Sequence, residues 1–363
     1  MKNTLGTSLT VTLFGESHGE AIGAVLDGVA SGIDVDLDFI ADMLTLRRPI
    51  GSISTPRREA DNFKILSGVF GGKTTGTPIC IVIENADTHS SDYGEMAYKA
   101  RPSHADFAAN VKYNGFQDYR GGGHFSGRIT AALVAAAGII MPALNKKGIY
   151  IGTHIKRLGG INDREFSNYQ DDIKALSNLE FAVLDGAVKD SMTEKIKQVK
   201  SEGDSIGGVL ETAVLGLPVG VGEPWFDTLE GTLSHALFSI PAVKGVEFGA
   251  GFSIADLKGS VANDAFSAQN GKVITLTNNS GGIQGGISNG MPIIFRTAIK
   301  PTPTISIEQH TVDMRDNTET VLAAKGRHDP CIVHRARIVA DSVTALVLAD
   351  MLALRFGTDW ISK

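Results

Sequence analysis

The chain has 363 residues, a formal net charge of -6, and 42% hydrophobic against 20% charged residues. That length supports a substantial core, and the acidic balance excludes general nucleic-acid binding, which draws most of its affinity from a basic surface. Two cysteines, Cys80 and Cys331, make neither a disulfide framework nor a CxxC zinc pair.

The N-terminus carries no signal-peptide pattern. Strands are predicted at 9–14, 78–83, 209–214, 273–276 and 292–295, where β-branched runs are flanked by glycine. Long apolar segments with few breakers predict buried helices at 129–143 and 331–354. The longest apolar stretch, 131–144, contains Gly138 and Pro142 and is too short for a bilayer span, so a cytoplasmic protein with no membrane partner is expected. The more polar segment 163–202 predicts exposed helices. The 42 glycines imply many tight turns, or a site built from backbone.

The chain repeats itself once. Gly71-Gly72, four residues before Gly76 and six before Pro78, matches Gly285-Gly286, Gly290 and Pro292. Gly15-Glu16-Ser17 resembles Gly203-Asp204-Ser205, and His124 and His328 each precede a long helix. Three matches in one order predict a single domain over 1–363 with two related halves, about 1–180 and 181–363.

Gly15-Glu16-Ser17-His18-Gly19 ends the first strand and exposes a Ser-His pair on a turn. This suits either an acid–base histidine near neutral pH or a structural one. Arg47, Arg48, Arg57 and Arg58 crowd four guanidinium forks into twelve residues, either an anion site or a solvated loop. Arg101 and His104 form a second histidine loop. Arg120 to Arg128 holds three glycines, His124, Phe125 and Ser126, and runs into a predicted helix whose free N–H groups and dipole suit an anion; Ser126 also suits an N-cap. Lys300, Pro301, Thr302, Pro303 and Thr304 form a stiff, extended segment. Asp329-Pro330 has the signature of an N-cap followed by N1, after Arg327 and His328. The segment from Gly68 to Thr74 misses P-loop spacing, no GxGxxG follows a strand, and no HExxH or paired His/Cys spacing suggests a metal.

These loops, in this order, resemble the chorismate synthase family over essentially the whole chain. The Gly15–Gly19, Arg120–Arg128 and Gly326–Cys331 segments carry the resemblance, with residues 300–304 and Arg47-Arg48-Pro49 in support. It implies an α+β fold, an internally duplicated βαβ sandwich with helices enclosed by antiparallel sheets. It implies an anti-1,4-elimination that converts 5-enolpyruvylshikimate 3-phosphate to chorismate and phosphate with reduced FMN and no net redox change. Such a substrate, with two carboxylates and a phosphate, accounts for arginine clusters in an acidic protein. The implied catalytic residues are His18 at the departing phosphate, His104 at the flavin N1/O2 edge, and Asp329 at flavin N5. The implied substrate clamps are Arg47, Arg48, Arg128 and Arg327. The implied cofactor contacts are His124, Phe125, Ser126, Pro241, Ala242, Gly285, Gly286, residues 300–304 and Arg327. A homotetramer is implied, and an external flavin reductase is expected, with NADPH an indirect reductant. The chain departs from the family pattern at Ile50, at Ile53 and at Asp341-Ser342. Ile53 stands where a basic residue is often found, which weakens an NADP contact there.

Overall fold

The computed structural model describes residues 2–55, 60–85, 97–324 and 329–363. In the first half, β1 (Thr4–Leu5), β2 (Thr10–Gly15), β3 (Ala21–Asp27), α1 (Leu37–Leu46) and β4 (Phe63–Ile65) come first. A hairpin of β5 (Val69–Phe70) and β6 (Lys73–Thr74), then β7 (Ile79–Glu84), α2 (Asp106–Lys112) and α3 (Thr130–Lys146) complete it. Five of these seven strands make an antiparallel sheet in the order β1-β2-β3-β7-β4.

The chain continues with β8 (Tyr150–Leu158), β9 (Ile161–Asn162), α4 (Tyr169–Leu176), α5 (Gly186–Ser201), β10 (Gly208–Leu215), α6 (Leu229–Leu237) and β11 (Val243–Phe248). After α7 (Gly259–Ala262) come two hairpins, β12 (Phe266–Gln269) with β13 (Lys272–Thr275), and β14 (Ile283–Gln284) with β15 (Ile287–Ser288). Then follow β16 (Ile293–Ile299), the pair β17 (Gln309–Asp313) and β18 (Thr318–Leu322), and α8 (Val333–Phe356). The second sheet is also antiparallel, in the order β11-β16-β10-β8-β9.

Both halves therefore run strand, strand, helix, strand, strand, helix: β2, β3, α1, β4, β7, α3 and then β8, β10, α6, β11, β16, α8. The strands take equivalent places in their sheets. Gly71-Gly72 and Gly285-Gly286 each turn a two-residue hairpin with positive φ at both positions, a geometry that glycine adopts without a Cβ penalty. The change of sheet falls between α3 and β8. A division near residue 180 would cut β8, β9 and α4 from the sheet they pack with, because β8 pairs along its whole length with β10.

The long helices α3 and α8 lie between the sheets. Packing of α3 and α8 against each other forms the centre, with α3 on the first sheet and α8 on β8 and β10. Ile79, Ile81 and Ile83 alternate into this core from β7, as a period of two requires. Helix α3 is buried on all sides from Ala131 to Ile140, so its sequence is apolar without a polar face. Pro142 lies inside it and does not end it, which makes the helical stretch Gly127–Lys146 long and apolar enough to cross a membrane by length and composition. Most of that stretch is buried by the rest of the chain. Gly138 lets α1 approach, since a Cβ there would stand 2.8 Å from Ile40.

One carboxylate ties the halves together. Asp350 of α8 accepts the backbone N–H groups of Thr7 (2.9 Å), Ser8 (2.7 Å) and Leu9 (2.8 Å), which lead into β2. A second buried set joins α8 to its own sheet: Asp341 accepts from Thr153 (2.6 Å), while Arg337 reaches Asp341 and the carbonyl of Leu179.

Candidate active site

The turn after β2 is fastened to the glycine-rich loop. Ser17 N donates to Gly123 O at 3.1 Å, and His124 Nδ1 donates to Gly15 O at 2.8 Å. Ser17 Oγ donates to Arg120 O at 3.2 Å, which leaves that oxygen to accept from His18 Nδ1, also at 3.2 Å. Nδ1 therefore carries a proton, and Nε2 is the nitrogen that exchanges one. Gly121 lies against the imidazole so closely that a Cβ would stand 2.1 Å from His18 Cε1. Gly121, Gly122 and Gly123 all have positive φ, and Gly123 abuts Asp118 O. Gly121 thus serves close packing around His18. Ser126 caps the following turn by accepting from Arg128 N.

His104 is held differently. Its Nδ1 is 2.6 Å from Asp106 Oδ1, and Arg101 also grips Asp106 through Nε (2.7 Å) and Nη2 (2.8 Å). Asp106 is largely buried, which works to raise its pKa, but Arg101 and His104 hold it far below the usual carboxylate range. An ionised carboxylate only accepts, so His104 Nδ1 donates to it. The 3.1 Å approach of Arg101 Nη2 to Nδ1 is then two donors serving one oxygen. Nε2 of His104 lies beside Gly122.

Two further carboxylates order the arginines. Asp61 pairs with Arg47 at 2.9 Å and with Arg128. Burial acts to raise its pKa, and the two guanidinium groups outweigh that and lower it. Asp329 accepts from Thr55 N at 2.9 Å and from Arg335 Nη1 at 2.8 Å. Arg335 Nε also donates to Arg47 O at 2.8 Å. Asp329 is therefore not an N-cap: α8 starts four residues later, after Ile332, and the carboxylate turns to the arginine loop instead. His334, next in the same turn, is fully buried, stacks on Phe181 and meets Ser54 Oγ at 2.9 Å. Burial, with Arg335 alongside, lowers its pKa to about 3, so the ring is neutral.

These groups surround one cavity of about 920 Å³. His18, Arg47, Arg48, His104, His124, Phe125, Ser126, Arg128, Pro241, Ala242, Lys300, Thr302, Pro303, Thr304 and Asp329 all line it. Pro301 does not. Gly285 and Gly286 do not line it either: their hairpin packs near Thr228 and Glu223, where Leu229 N donates to Gly286 O. Arg327, expected at both substrate and cofactor, lies outside the described residues, as do Arg57, Arg58 and His328. Among the described residues, no group of three or more His, Cys, Asp or Glu is arranged to hold a metal ion.

The sequence pattern of one family, chorismate synthase, matches residues 9–353. The chain belongs to the chorismate synthase family. A chorismate synthase of Dehalococcoides mccartyi is 49% identical over 358 residues, covering 98% of each chain. That of Pyrococcus abyssi is 46% identical over 350 residues, covering 96% of this chain and 97% of the relative. A crystal structure of chorismate synthase superposes with a TM-score of 0.78 at 30% identity, covering 98% of this chain and 95% of that one. The α+β architecture expected from the chorismate synthase resemblance is thus the observed one.

Sequence reasoning missed Asp61, Asp106 and Arg335. Asp106 stands two residues after His104 and could have been read as its partner. Asp61 is the second acid after the arginine run. Arg335 gave no signal, being one of two arginines at the start of a largely buried helix.

Proposed function

We propose that this chain releases phosphate from 5-enolpyruvylshikimate 3-phosphate by anti-1,4-elimination to give chorismate, with reduced FMN bound in the same cavity. One observation carries this reading: His18, His104, three arginines and Asp329, from segments scattered over the whole chain, converge on a single cavity. A C–O bond to phosphate must break and a C–H proton must leave. The cavity offers guanidinium forks for anions and two oriented imidazoles.

The residues present suit a flavin. Leu133, Ile240, Val339 and Val343 give the cavity an apolar wall, and Arg48 Nε is buried without a hydrogen-bond partner among the described residues. His124, Phe125, Ser126, Pro241, Ala242, Lys300 and Thr302 to Thr304 would hold reduced FMN; Arg327 is a further contact on the family resemblance. When bound, FMN supplies electron density to C–O cleavage and takes it back, so the reaction needs the reduced cofactor without consuming it.

The chain's own groups do the rest. Arg47, Arg48, Arg128 and, by the resemblance, Arg327 bind the carboxylates and phosphate. His18, with Nδ1 fixed on Ser17, offers a proton from Nε2 to the departing phosphate. His104, with Nδ1 fixed on Asp106, presents Nε2 to the anionic edge of the cofactor. Asp329, anchored by Thr55 and Arg335, would help flavin N5 take up the substrate's C–H proton. Exclusion of water strengthens each charge interaction.

Anaerobic turnover with and without reduced FMN tests this reading. Phosphate release that needs reduced flavin is expected; equal release without flavin would remove the cofactor from the reading. An external reductase supplies the reduced flavin in this scheme, and NADPH oxidation by the purified chain with FMN would overturn that part. A cytoplasmic homotetramer is the expected assembly. Trp225, Phe226, Phe252 and Phe266 are strongly exposed aromatics that a subunit contact would cover, and solution mass measurement checks it. The matching order of elements in the two sheets supports one domain made of two related halves.

A further inference from the structure

Of the carboxylates lining the cavity, Asp61 is the deeper, and the scheme above gives it no task. Its side chain is 1% exposed. Each oxygen takes a different arginine: Oδ2 the Nη2 of Arg47, Oδ1 the Nη1 of Arg128. Its backbone sits at φ 51°, a left-handed conformation that side-chain-bearing residues adopt rarely and keep only when their surroundings impose it. Burial opposes its ionisation, but the two guanidinium groups outweigh that and lower its pKa, so it is a poor proton acceptor.

We propose that Asp61 is a positioning residue that sets the relative orientation of the Arg47 and Arg128 forks and lets two like charges face one anionic group of the substrate. Arg128 is fixed from the other side too, with Nε on Asn85 Oδ1 at 3.0 Å and Nη2 toward Glu84 O at 3.4 Å. Arg47 Nη1 reaches toward Gly127 O at 3.5 Å. With three such anchors the guanidinium planes have little freedom, and the carboxylate between them cancels repulsion that would otherwise push them apart. The ligand class is a phosphate or carboxylate group approaching from the cavity side. This inference rests on the proposed function insofar as Arg47 and Arg128 are taken to receive the substrate.

Asp61→Asn separates the charge from the fold, because asparagine is nearly isosteric and tolerates the same positive φ. KM for 5-enolpyruvylshikimate 3-phosphate should rise about tenfold, with a smaller fall in kcat, since the forks bind ground and transition states alike. Affinity for inorganic phosphate, measured by calorimetry on the full chain, should fall in step. In an Arg128→Lys background the same change should cost clearly less, a coupling that a merely structural role would not produce. KM and phosphate affinity within about twofold of wild type, tighter binding, or full additivity with Arg128→Lys would each overturn the proposal. Should the asparagine variant not fold, Asp61→Glu keeps the charge but moves it. A raised KM in a folded chain then supports the proposal, and an unchanged KM overturns it. Failure of the wild type to release phosphate would defeat the proposed function alone, and the calorimetric comparison would still decide the role of Asp61.

Discussion

Replacing Gly121 by alanine probes how His18 is held without replacing it. A Cβ at this position would stand 2.1 Å from His18 Cε1, 2.2 Å from Nδ1 and 2.7 Å from Ser17 Oγ. Neither backbone can give way easily, because Ser17 N is bonded to Gly123 O and His124 to Gly15 O. The imidazole must therefore withdraw by about 1 Å, and a misplacement of that size costs roughly 100-fold in rate. Loss of a positioned acid altogether costs about 10²–10⁴-fold, which bounds the effect. The φ of 59° adds a backbone penalty of about 1–2 kcal/mol for any residue with a Cβ. Gly32→Ala separates the two contributions, since Gly32 has φ 85° and open space where its Cβ would go. Anaerobic phosphate release with reduced FMN, measured beside thermal unfolding, is the assay. Both variants should lose stability, and only Gly121→Ala should lose activity, by about 100-fold. Activity of Gly121→Ala within about threefold of wild type, or an equal loss in Gly32→Ala, would show that the packing of Gly121 on His18 does not govern the rate.

Arg335→Ala should lower kcat/KM by about 10–100-fold in steady-state assays, because it releases both the Asp329 carboxylate and the carbonyl of Arg47. His334 is neutral in the folded chain down to about pH 3, whereas in the unfolded chain it protonates near its ordinary 6.5. Its pKa is lowered by folding, so stability is lost as pH falls from 6.5 towards 3, by up to ~1.4 kcal/mol per pH unit. His334→Gln should flatten that part of the pH dependence, read from urea unfolding. Gly138→Ala should push α1 from α3 at Ile40 and cost about 1–3 kcal/mol in chemical denaturation, with KM unchanged.

The central helices and the alternating strand β7 were legible because each has one dominant burial pattern. All-round apolarity marks α3, and isoleucine at every second position marks β7. The paired Gly-Gly hairpins were legible as a repeat for a geometric reason, since both need positive φ at two successive residues. Their assignment to a cofactor was not supported by position, because a turn signature says nothing about which way it faces. The polar stretch 163–202 reads as exposed helices, and a division near 180 would part β8 from β10, with which it pairs along its whole length. In fact α4 covers the outer face of β8 and β10, so its buried side is narrow while its exposed side is charged. Asp329 carried the Asp-Pro signature of a helix start, yet Thr55 and Arg335 draw its carboxylate away from the helix. Asp61 and Arg335 were illegible because each joins segments far apart in sequence, Asp61 to Arg128 and Arg335 to the carbonyl of Arg47, and no local pattern encodes those links.

The grip of Asp350 on Thr7, Ser8 and Leu9 has a consequence for biosynthesis. Synthesis of the leading strand of the first sheet precedes that of its anchor by more than 340 residues. A nascent chain can pair β2, β3 and β7 early, but their fixing point emerges only with the last helix. Contacts of such sequence separation form slowly and leave an intermediate with uncovered apolar surface in the meantime. That intermediate is where chaperone dependence and aggregation should concentrate. Translation cut short within α8 would release a product whose first strands lack their anchor, although every residue of those strands had been made.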